Sequence, residues 1–218
     1  MSLIDDLIKE GWLKTPRIIE ALKKIERVDF LPEDIKNLAE LNTALPISFG
    51  QTISQPLVVA FMIEQLQPQP GDNILDIGSG SGWTTAILAE IVGQNGRNQK
   101  SKIKDQKGRV VAIEIIPELM EFGKKNVEKY NFIEKGIVEF ICADGSKGYK
   151  KEAPFDKILA SASAEKIPQA WKDQLKVGGR IVTPIGTSIW LFIKKSDKKF
   201  DEIEYPGFVF VPLITKEK

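Results

Sequence analysis

A loop with alternating glycines is the clearest candidate for binding chemistry in this sequence. From Asp76 to Gly82 the chain reads Asp-Ile-Gly-Ser-Gly-Ser-Gly. Glycines let the backbone approach a ligand closely, and the helix predicted just beyond them supplies unpaired N–H groups. The dinucleotide fingerprint would need a third glycine at position 83, which is Trp83. The loop therefore predicts a ligand site but disfavours a nicotinamide oxidoreductase.

Three acidic residues lie at the ends of predicted strands. Asp76 precedes the glycines, Glu114 ends the second strand and Asp144 follows the third. The carboxyl ends of parallel strands meet in one crevice, where open α/β sheets bind ligands. Glu114 there can accept hydrogen bonds from both hydroxyls of a ribose, and it would repel a 2′-phosphate. Together the three carboxylates favour a nucleoside-like ligand over solvated strand-end charges.

A short polar segment, residues 50–56, is the second candidate. It reads Gly-Gln-Thr-Ile-Ser-Gln-Pro and precedes an apolar run that is helical in pattern. Ser54 could cap that helix, with Pro56 in the first turn. Alternatively, its hydroxyl could face a substrate. The segment alone leaves both interpretations open.

The sequence of 218 residues contains no histidine. This excludes a Ser-His-Asp or Cys-His nucleophile, a His-ligated zinc and a His general base. Any reaction must therefore need little proton transfer, or must use carboxylates, lysine or tyrosine.

The elements that must position these residues follow from the apolar pattern. The predicted strands are Asn73–Ile77, Arg109–Glu114, Ile137–Ile141, Lys157–Ser161 and Arg180–Pro184, and the predicted helices among them are Thr84–Val92, Pro117–Tyr130 and Ala164–Leu175. Near-continuous apolar strands alternating with amphipathic helices are typical of a parallel sheet covered on both faces. Two last strands, Ile189–Lys194 and Gly207–Leu213, predict an antiparallel end. The fold class is therefore α/β, Rossmann-like and doubly wound.

The first part of the chain does not show this alternation of strands and helices. Leu3–Lys9 and a segment that starts at Thr15-Pro16 predict a small helical N-terminal region. We divide the chain at residue 56, with a helical region and covering loop at 1–56 and the sheet domain at 57–218, as one compact unit. Residues 93–108 are polar, basic and nearly without apolar side chains, which predicts a surface loop.

Composition sets the expected surroundings. The net charge of +1 gives no general attraction to nucleic acid or an anionic membrane. The single cysteine, Cys142, excludes an internal disulfide and a cysteine-built metal site. There is no signal-peptide pattern and no apolar run long enough to span a membrane. We expect a soluble, cytoplasmic protein without metal, nucleic acid or membrane partners. A monomer is favoured, and the sequence leaves an oligomer open.

Two resemblances narrow the function. The acidic-x-Gly-x-Gly-x-Gly spacing resembles motif I of the class I S-adenosylmethionine-dependent methyltransferases. Residues 46–56, Pro-Ile-Ser-Phe-Gly-Gln-Thr-Ile-Ser-Gln-Pro, resemble the Gly-Gln-Thr-Ile-Ser-x-Pro signature of the protein-L-isoaspartate O-methyltransferases. Further matches in order extend this resemblance over roughly residues 15–213, among them Ala153-Pro154-Phe155-Asp156 and Gly178-Gly179-Arg180.

The resemblance implies a protein-repair enzyme that moves a methyl group from S-adenosylmethionine to the α-carboxylate of L-isoaspartyl residues. S-adenosylhomocysteine would be the product, and isoaspartyl proteins and peptides the partners. Ser54 is the implied catalytic residue. The implied cofactor-binding residues are Gln51, Thr52, Ile53, Asp76, Gly78, Ser79, Gly80, Ser81, Gly82, Glu114, Ile115, Asp144 and Gly145. The implied substrate-binding residues are Ser54, Ser161, Ala162, Ser163, Val211 and Pro212.

The chain departs from the family pattern in two places. Asn42–Pro46 stands where the family often has Asp-Arg-Pro-Leu-Pro, and Ser161–Glu165 replaces a Thr-Ala-Ala-Ala-Pro-like loop. Alternatives remain a non-catalytic homologue that binds the cofactor and an enzyme dedicated to one protein substrate. A methyltransferase for nucleic-acid amines is disfavoured, because residues 161–164 offer no aromatic ring to hold a base.

Overall fold

The computed structural model describes residues 2–94 and 108–215. Its α-helices are α1 (Leu3–Lys9), α2 (Pro16–Lys24), α3 (Pro56–Leu66), α4 (Trp83–Val92), α5 (Pro117–Glu128) and α6 (Gln169–Asp173). Its strands are β1 (Leu45–Ser48), β2 (Gln51–Ile53), β3 (Asn73–Ile77), β4 (Arg109–Glu114), β5 (Val138–Cys142), β6 (Phe155–Ala160), β7 (Leu175–Ile185), β8 (Ser188–Ser196) and β9 (Lys199–Pro206). Short 3-10 helices fill Arg27–Phe30, Glu33–Leu38, Gly145–Lys147 and Lys150–Glu152.

Seven strands form one sheet in the order β5-β4-β3-β6-β7-β8-β9. The first five are parallel to one another, whereas β8 and β9 are antiparallel to their neighbours. The predicted mainly parallel sheet with an antiparallel C-terminal pair is thereby confirmed. Chain order reverses beside β3, so the crevice at the carboxyl ends of β3, β4 and β6 is the expected ligand position.

The central strands β3 and β4 are buried on both faces of the sheet, which explains their near-continuous apolar runs. Neighbouring residues of one strand belong to opposite cores: Ile74 packs with helices α2 to α5, and Leu75 packs with Trp171 of α6. Val110 and Val111 of β4 divide in the same way. The helices therefore hold the strand ends from two sides.

Two predicted elements are wrong. The predicted helix Ala164–Leu175 shrinks to Gln169–Asp173, because Pro168 stands at its start and Ala164 bridges to Ile185 of β7. The last strand is Lys199–Pro206 rather than Gly207–Leu213. The polar residues before Gly207 thus form the last strand, and the apolar segment after them is free to run elsewhere.

The N-terminal region shares the main core instead of forming a separate one. Leu7, Ile18 and Leu22 are buried together with Ile87 and Ile91 of α4. We propose on this basis that segments 1–56 and 57–218 fold as one unit. Most of the predicted basic loop, residues 95–107, lies outside the described residues, and within those described no helix is long and apolar enough to cross a membrane.

Candidate active site

The glycine loop follows β3 directly and is tied to the neighbouring strand. The backbone N–H groups of Gly78 and Ser79 donate to the carbonyl oxygen of Ile113, at 2.8 and 3.1 Å. Gly78 and Gly80 have φ angles of +74° and +50°, a region that residues with a Cβ rarely adopt. The loop is consequently a fixed turn whose backbone borders the crevice.

The third glycine of the motif has a different purpose. A Cβ on Gly82 would lie 2.7 Å from the carbonyl oxygen of Gly123 and 2.9 Å from Cγ2 of Val127, both on α5. Asn126 of the same helix donates from Nδ2 to the carbonyl oxygen of Ser81, at 3.0 Å. Gly82 therefore lets α5 support the loop from behind and does not itself border the crevice.

Glu114 organises the loop from the end of β4. Its Oε2 accepts from the N–H of Gly80 at 3.0 Å, and its Oε1 accepts from the N–H groups of Ile115 and Ile116 at 2.8 and 3.1 Å. The side chain is buried yet borders the cavity. Four lone-pair positions minus these three bonds leave one acceptor position, so Glu114 could accept from one ribose hydroxyl while it keeps its bonds to the loop.

Asp76 lies beneath the loop and not on the crevice surface. Its Oδ2 accepts from Oγ1 of Thr85 at 2.6 Å, and its Oδ1 is buried without a hydrogen-bond partner among the described residues. Burial raises the pKa of Asp76 to about 7, with the charge of Glu114 adding to the rise and the Thr85 bond opposing it. The hydroxyl of Ser79 is also buried and unpartnered in the described part of the chain. Neither atom is accessible from the cavity, so both belong to the support of the loop.

Asp144 shapes the turn after β5. Its Oδ1 accepts from the N–H of Ser146 at 3.0 Å and from the hydroxyl of Ser146 at 2.6 Å, while Lys147 Nζ lies 3.6 Å from Oδ2. The carboxylate is buried, and its neighbours Ala143 and Gly145 line the cavity in its place. The direct contact with an adenine that the resemblance implies for Asp144 remains a prediction.

Ser54 stands at the end of the β1–β2 hairpin. The alternative in which Ser54 caps the following helix is wrong, because α3 begins at Pro56, its N-cap residue is Gln55, and no side chain caps it. Ser54 is half-buried and lines the cavity, and its hydroxyl makes no hydrogen bond within the described chain. Ser54 thus brings an uncommitted donor to the cavity wall.

The C-terminal segment, residues 209–214, forms another part of the cavity wall. The carbonyl oxygen of Val211 accepts from the N–H of Ser163 at 2.8 Å, and the N–H of Leu213 donates to the carbonyl oxygen of Ser163 at 2.8 Å. These bonds hold residues 209–214 along the cavity. The run that was predicted as a strand is therefore a wall of the site.

These elements enclose a cavity of about 340 Å³. The predicted site residues that line it are Gln51, Thr52, Ile53, Ser54, Gly78, Ser79, Gly80, Ser81, Glu114, Ile115, Gly145, Ser161, Ala162, Val211 and Pro212. Asp76, Gly82, Asp144 and Ser163 stand behind it.

The lining also contains residues that were not predicted, namely Ala44, Gln55, Val58, Ile77, Trp83, Thr84, Ile113, Ile116, Ala143, Val209, Phe210, Leu213 and Ile214. Nearly all are apolar, so their sequence pattern is that of ordinary core residues. Only adjacency to the predicted loops could have indicated them, as with Trp83 and Ile116.

The site suits S-adenosylmethionine. The crevice offers a backbone that a ligand can approach closely at Gly78 and Gly80, a carboxylate for a ribose hydroxyl at Glu114, and apolar walls at Ile115 and Ala143 for a flat ring. Such a set fits a nucleoside.

An open α/β sheet with this glycine loop, this strand-end carboxylate and an antiparallel last pair defines a class I S-adenosylmethionine-dependent methyltransferase. The sequence model of the protein-L-isoaspartate(D-aspartate) O-methyltransferase family matches residues 1–218. The chain belongs to that family.

Relatives agree over nearly the full length. The chain is 38% identical to a protein-L-isoaspartate O-methyltransferase of Methanopyrus kandleri, covering 99% of this chain and 91% of the relative. It is 40% identical to one of Staphylothermus marinus, covering 97% and 92%. A crystal structure from Plasmodium falciparum, described as a beta-aspartate methyltransferase in complex with S-adenosyl-L-homocysteine, shares the fold with a TM-score of 0.84 at 22% identity, covering 98% and 97%. The predicted family, enzyme class and cofactor are confirmed.

Proposed function

We propose that this chain methylates the α-carboxylate of L-isoaspartyl residues in damaged proteins and peptides, with Ser54 holding that carboxylate. The observation that carries the proposal is the uncommitted Ser54 hydroxyl in the same cavity as the glycine loop and Glu114. Family membership supports the reaction, and the geometry of the cavity supports the residue roles.

The substrate arrives ready to react. An α-carboxylate has a pKa near ~3.5, so it is an anion at neutral pH and needs no base to become a nucleophile. This explains how a chain with no histidine can catalyse the step. S-adenosylmethionine supplies an electrophilic methyl group on a sulfonium.

The chain therefore has to bind the two reactants, align them with each other and exclude water from them. The backbone at Gly78 and Gly80 and the carboxylate of Glu114 would hold the nucleoside portion, with Ile115 and Ala143 against its ring. Val211 and Pro212 line the cavity from the substrate side. Bringing two bound groups into line in this way contributes much of the rate of a bimolecular reaction.

Ser54 would donate its hydroxyl proton to one carboxylate oxygen of the substrate. The carboxylate loses its negative charge as the ester forms, so this hydrogen bond is strongest before the reaction. It serves mainly to bind and orient the group and not to stabilise developing charge. Both substrate affinity and alignment should therefore depend on it.

The test compares Ser54→Ala and Ser54→Asp with the wild type, using labelled cofactor and an isoaspartyl peptide beside its normal aspartyl counterpart. We expect Ser54→Ala to lower turnover about 10- to 100-fold through lost alignment. Ser54→Asp should lower it further, because a second anion repels the substrate carboxylate. The affinity for S-adenosylhomocysteine should stay nearly constant in both.

Ser48→Ala is the matched control, since Ser48 lies in the same hairpin but is exposed and outside the cavity. Equal methylation of the two peptides by the wild type would refute the repair activity. Full turnover in Ser54→Ala would refute the role of Ser54 alone.

The cellular setting belongs to the same proposal. Cys142 is the chain's one cysteine and its thiol is exposed and free, which suits a reducing compartment such as the cytoplasm. We propose a monomer there. Sedimentation velocity that gave a dimer at micromolar concentration would contradict the monomer.

A further inference from the structure

Arg27 is a buried cation close to the site, although it does not line the cavity. Only 6% of the surface of Arg27 is accessible to solvent. Burial lowers the pKa of Arg27 to about 10, with the charge of Glu40 opposing the change, so the guanidinium is charged at neutral pH. A buried charge is costly unless hydrogen bonds compensate for it, which raises the question of what it holds.

The compensation comes from four backbone carbonyl groups. Nη1 donates to the carbonyl oxygens of Ala39 at 3.1 Å and Leu41 at 2.9 Å. Nη2 donates to those of Thr43 at 2.8 Å and Ser54 at 3.2 Å. Charge-assisted bonds of this kind are stronger than neutral ones, and a planar guanidinium fixes their directions.

The last two bonds join the two ends of one hairpin. Thr43 lies just before β1, and Ser54 lies just after β2. A single nitrogen of Arg27 therefore joins the two ends of the β1–β2 hairpin, one of them at Ser54, which lines the cavity.

Arg27 also contacts Trp83, the residue that follows the glycine loop. The Cζ of Arg27 lies 5.5 Å from the ring centroid of Trp83, a cation–π contact. Trp83 is the first residue of α4, lines the cavity, and donates from Nε1 to the carbonyl oxygen of Ile25 at 3.2 Å. The guanidinium thus connects the hairpin with the residue that follows the glycine loop.

We propose that Arg27 is a positioning residue that fixes the Ser54 end of the hairpin relative to the glycine loop. It touches neither substrate nor cofactor and acts through Ser54 and Trp83. The inference rests on the proposed function for its effect on turnover, but the geometry it describes can be measured without activity.

The experiment uses Arg27→Ala and Arg27→Lys in the full chain. We expect kcat for the isoaspartyl peptide to fall about 100-fold in Arg27→Ala, because a displacement of about 1 Å in alignment has that effect. The dissociation constant for S-adenosylhomocysteine should change less than fivefold. Lysine keeps three donors but loses the planar fork, so Arg27→Lys should retain intermediate turnover. Added methylguanidine, at concentrations that leave the wild type unaffected, should restore part of the turnover of Arg27→Ala.

Arg17→Ala is the matched control. The Arg17 guanidinium also binds backbone, donating from Nε to the carbonyl oxygen of Pro68 at 2.8 Å, and from Nη2 to Oε1 of Gln67 at 2.9 Å. Neither partner lines the cavity. This variant should keep wild-type kcat and should not respond to methylguanidine.

Hydrogen exchange provides a measurement that does not need activity. Amides of β1 and β2 should exchange at least tenfold faster in Arg27→Lys, while those of β3 and β4 stay as in the wild type. The exchange comparison in Arg27→Lys also tests the positioning role of Arg27 if Arg27→Ala does not fold. An inactive wild type would refute the proposed function and leave the exchange test standing.

Three results would overturn the inference. The first is wild-type kcat in a folded Arg27→Ala variant. The second is a loss of activity that matches the loss of folded protein and that methylguanidine does not reverse, which would make the role of Arg27 structural only. The third is unchanged hairpin exchange in Arg27→Lys.

Discussion

Replacing Gly123 by alanine should damage the cofactor site from outside it. Gly123 lies in the middle of α5, where alanine is normally the better helix former. Here the new Cβ would lie 2.6 Å from the carbonyl oxygen of Gly80, 3.2 Å from the nitrogen of Gly82 and 3.3 Å from the carbonyl carbon of Ser81. All three are backbone atoms of the glycine loop, so no flexible side chain can move aside.

Two opposing effects set the size of the change. Helix propensity favours alanine by about 1 kcal/mol, while forcing a methyl group into a packed contact costs roughly 1–3 kcal/mol. The net loss should therefore be between about 0 and 2 kcal/mol, or a fall in Tm of up to about 8 °C for a chain of this size. The loop must shift to relieve the contact. We therefore expect the affinity for S-adenosylhomocysteine to fall by at least about tenfold, which corresponds to 1.4 kcal/mol.

Calorimetric titration with S-adenosylhomocysteine and a thermal melt of the same samples test this reasoning. Glu121→Ala is the control, because Glu121 is an exposed residue of the same helix. A Gly123→Ala variant with a higher Tm and unchanged affinity would show that the loop is not held by α5 in the way described.

Two further predictions concern the buried carboxylates. Glu114→Ala removes the acceptor of the Gly80 N–H together with the proposed ribose contacts, so affinity for S-adenosylhomocysteine should fall about 10- to 100-fold by calorimetry, whereas Glu118→Ala, exposed on α5, should leave it unchanged. The pKa of Asp76 is raised from 3.8 to about 7 on folding, so the folded state keeps a proton that the unfolded state releases. As the pH rises from about 4 to about 7, the free energy of unfolding should then decline by up to about 1.4 kcal/mol for each pH unit. Urea titrations at several pH values should show this decline for the wild type and not for Asp76→Asn. Parallel pH profiles for the two proteins would contradict the assignment.

The parallel core of the fold could be predicted because its strands are buried on both faces. Asn73–Ile77 and Arg109–Glu114 are near-continuous apolar runs and occupy the predicted positions. The last strand could not be found this way. Lys199–Pro206 is an edge strand that is exposed on most of its length, so its sequence has the polarity of a turn, and the apolar residues beyond it are needed at the cavity instead.

The site shows the same division. Ser54 and Glu114 could be predicted from the sequence, because each is a polar residue at or near one end of an apolar run. Arg27 was not, because it is one of 31 basic residues and nothing in its spacing marks it as buried. Trp83 and Val58 were missed because an apolar residue lining a cavity has the same pattern as one filling a core.

The exposed last strand has a consequence for an enzyme whose proposed clients are damaged proteins. Such clients present unfolded segments that can pair with an open sheet edge, and β9 is one of the two edges of this sheet, with β5 at the other side. Along β9 the charges of Lys199, Asp201, Glu202 and Glu204 all face solvent. An incoming segment would have to strip water from them, so the edge resists co-aggregation while the catalytic crevice, four strands away at β3, stays open to the same chains.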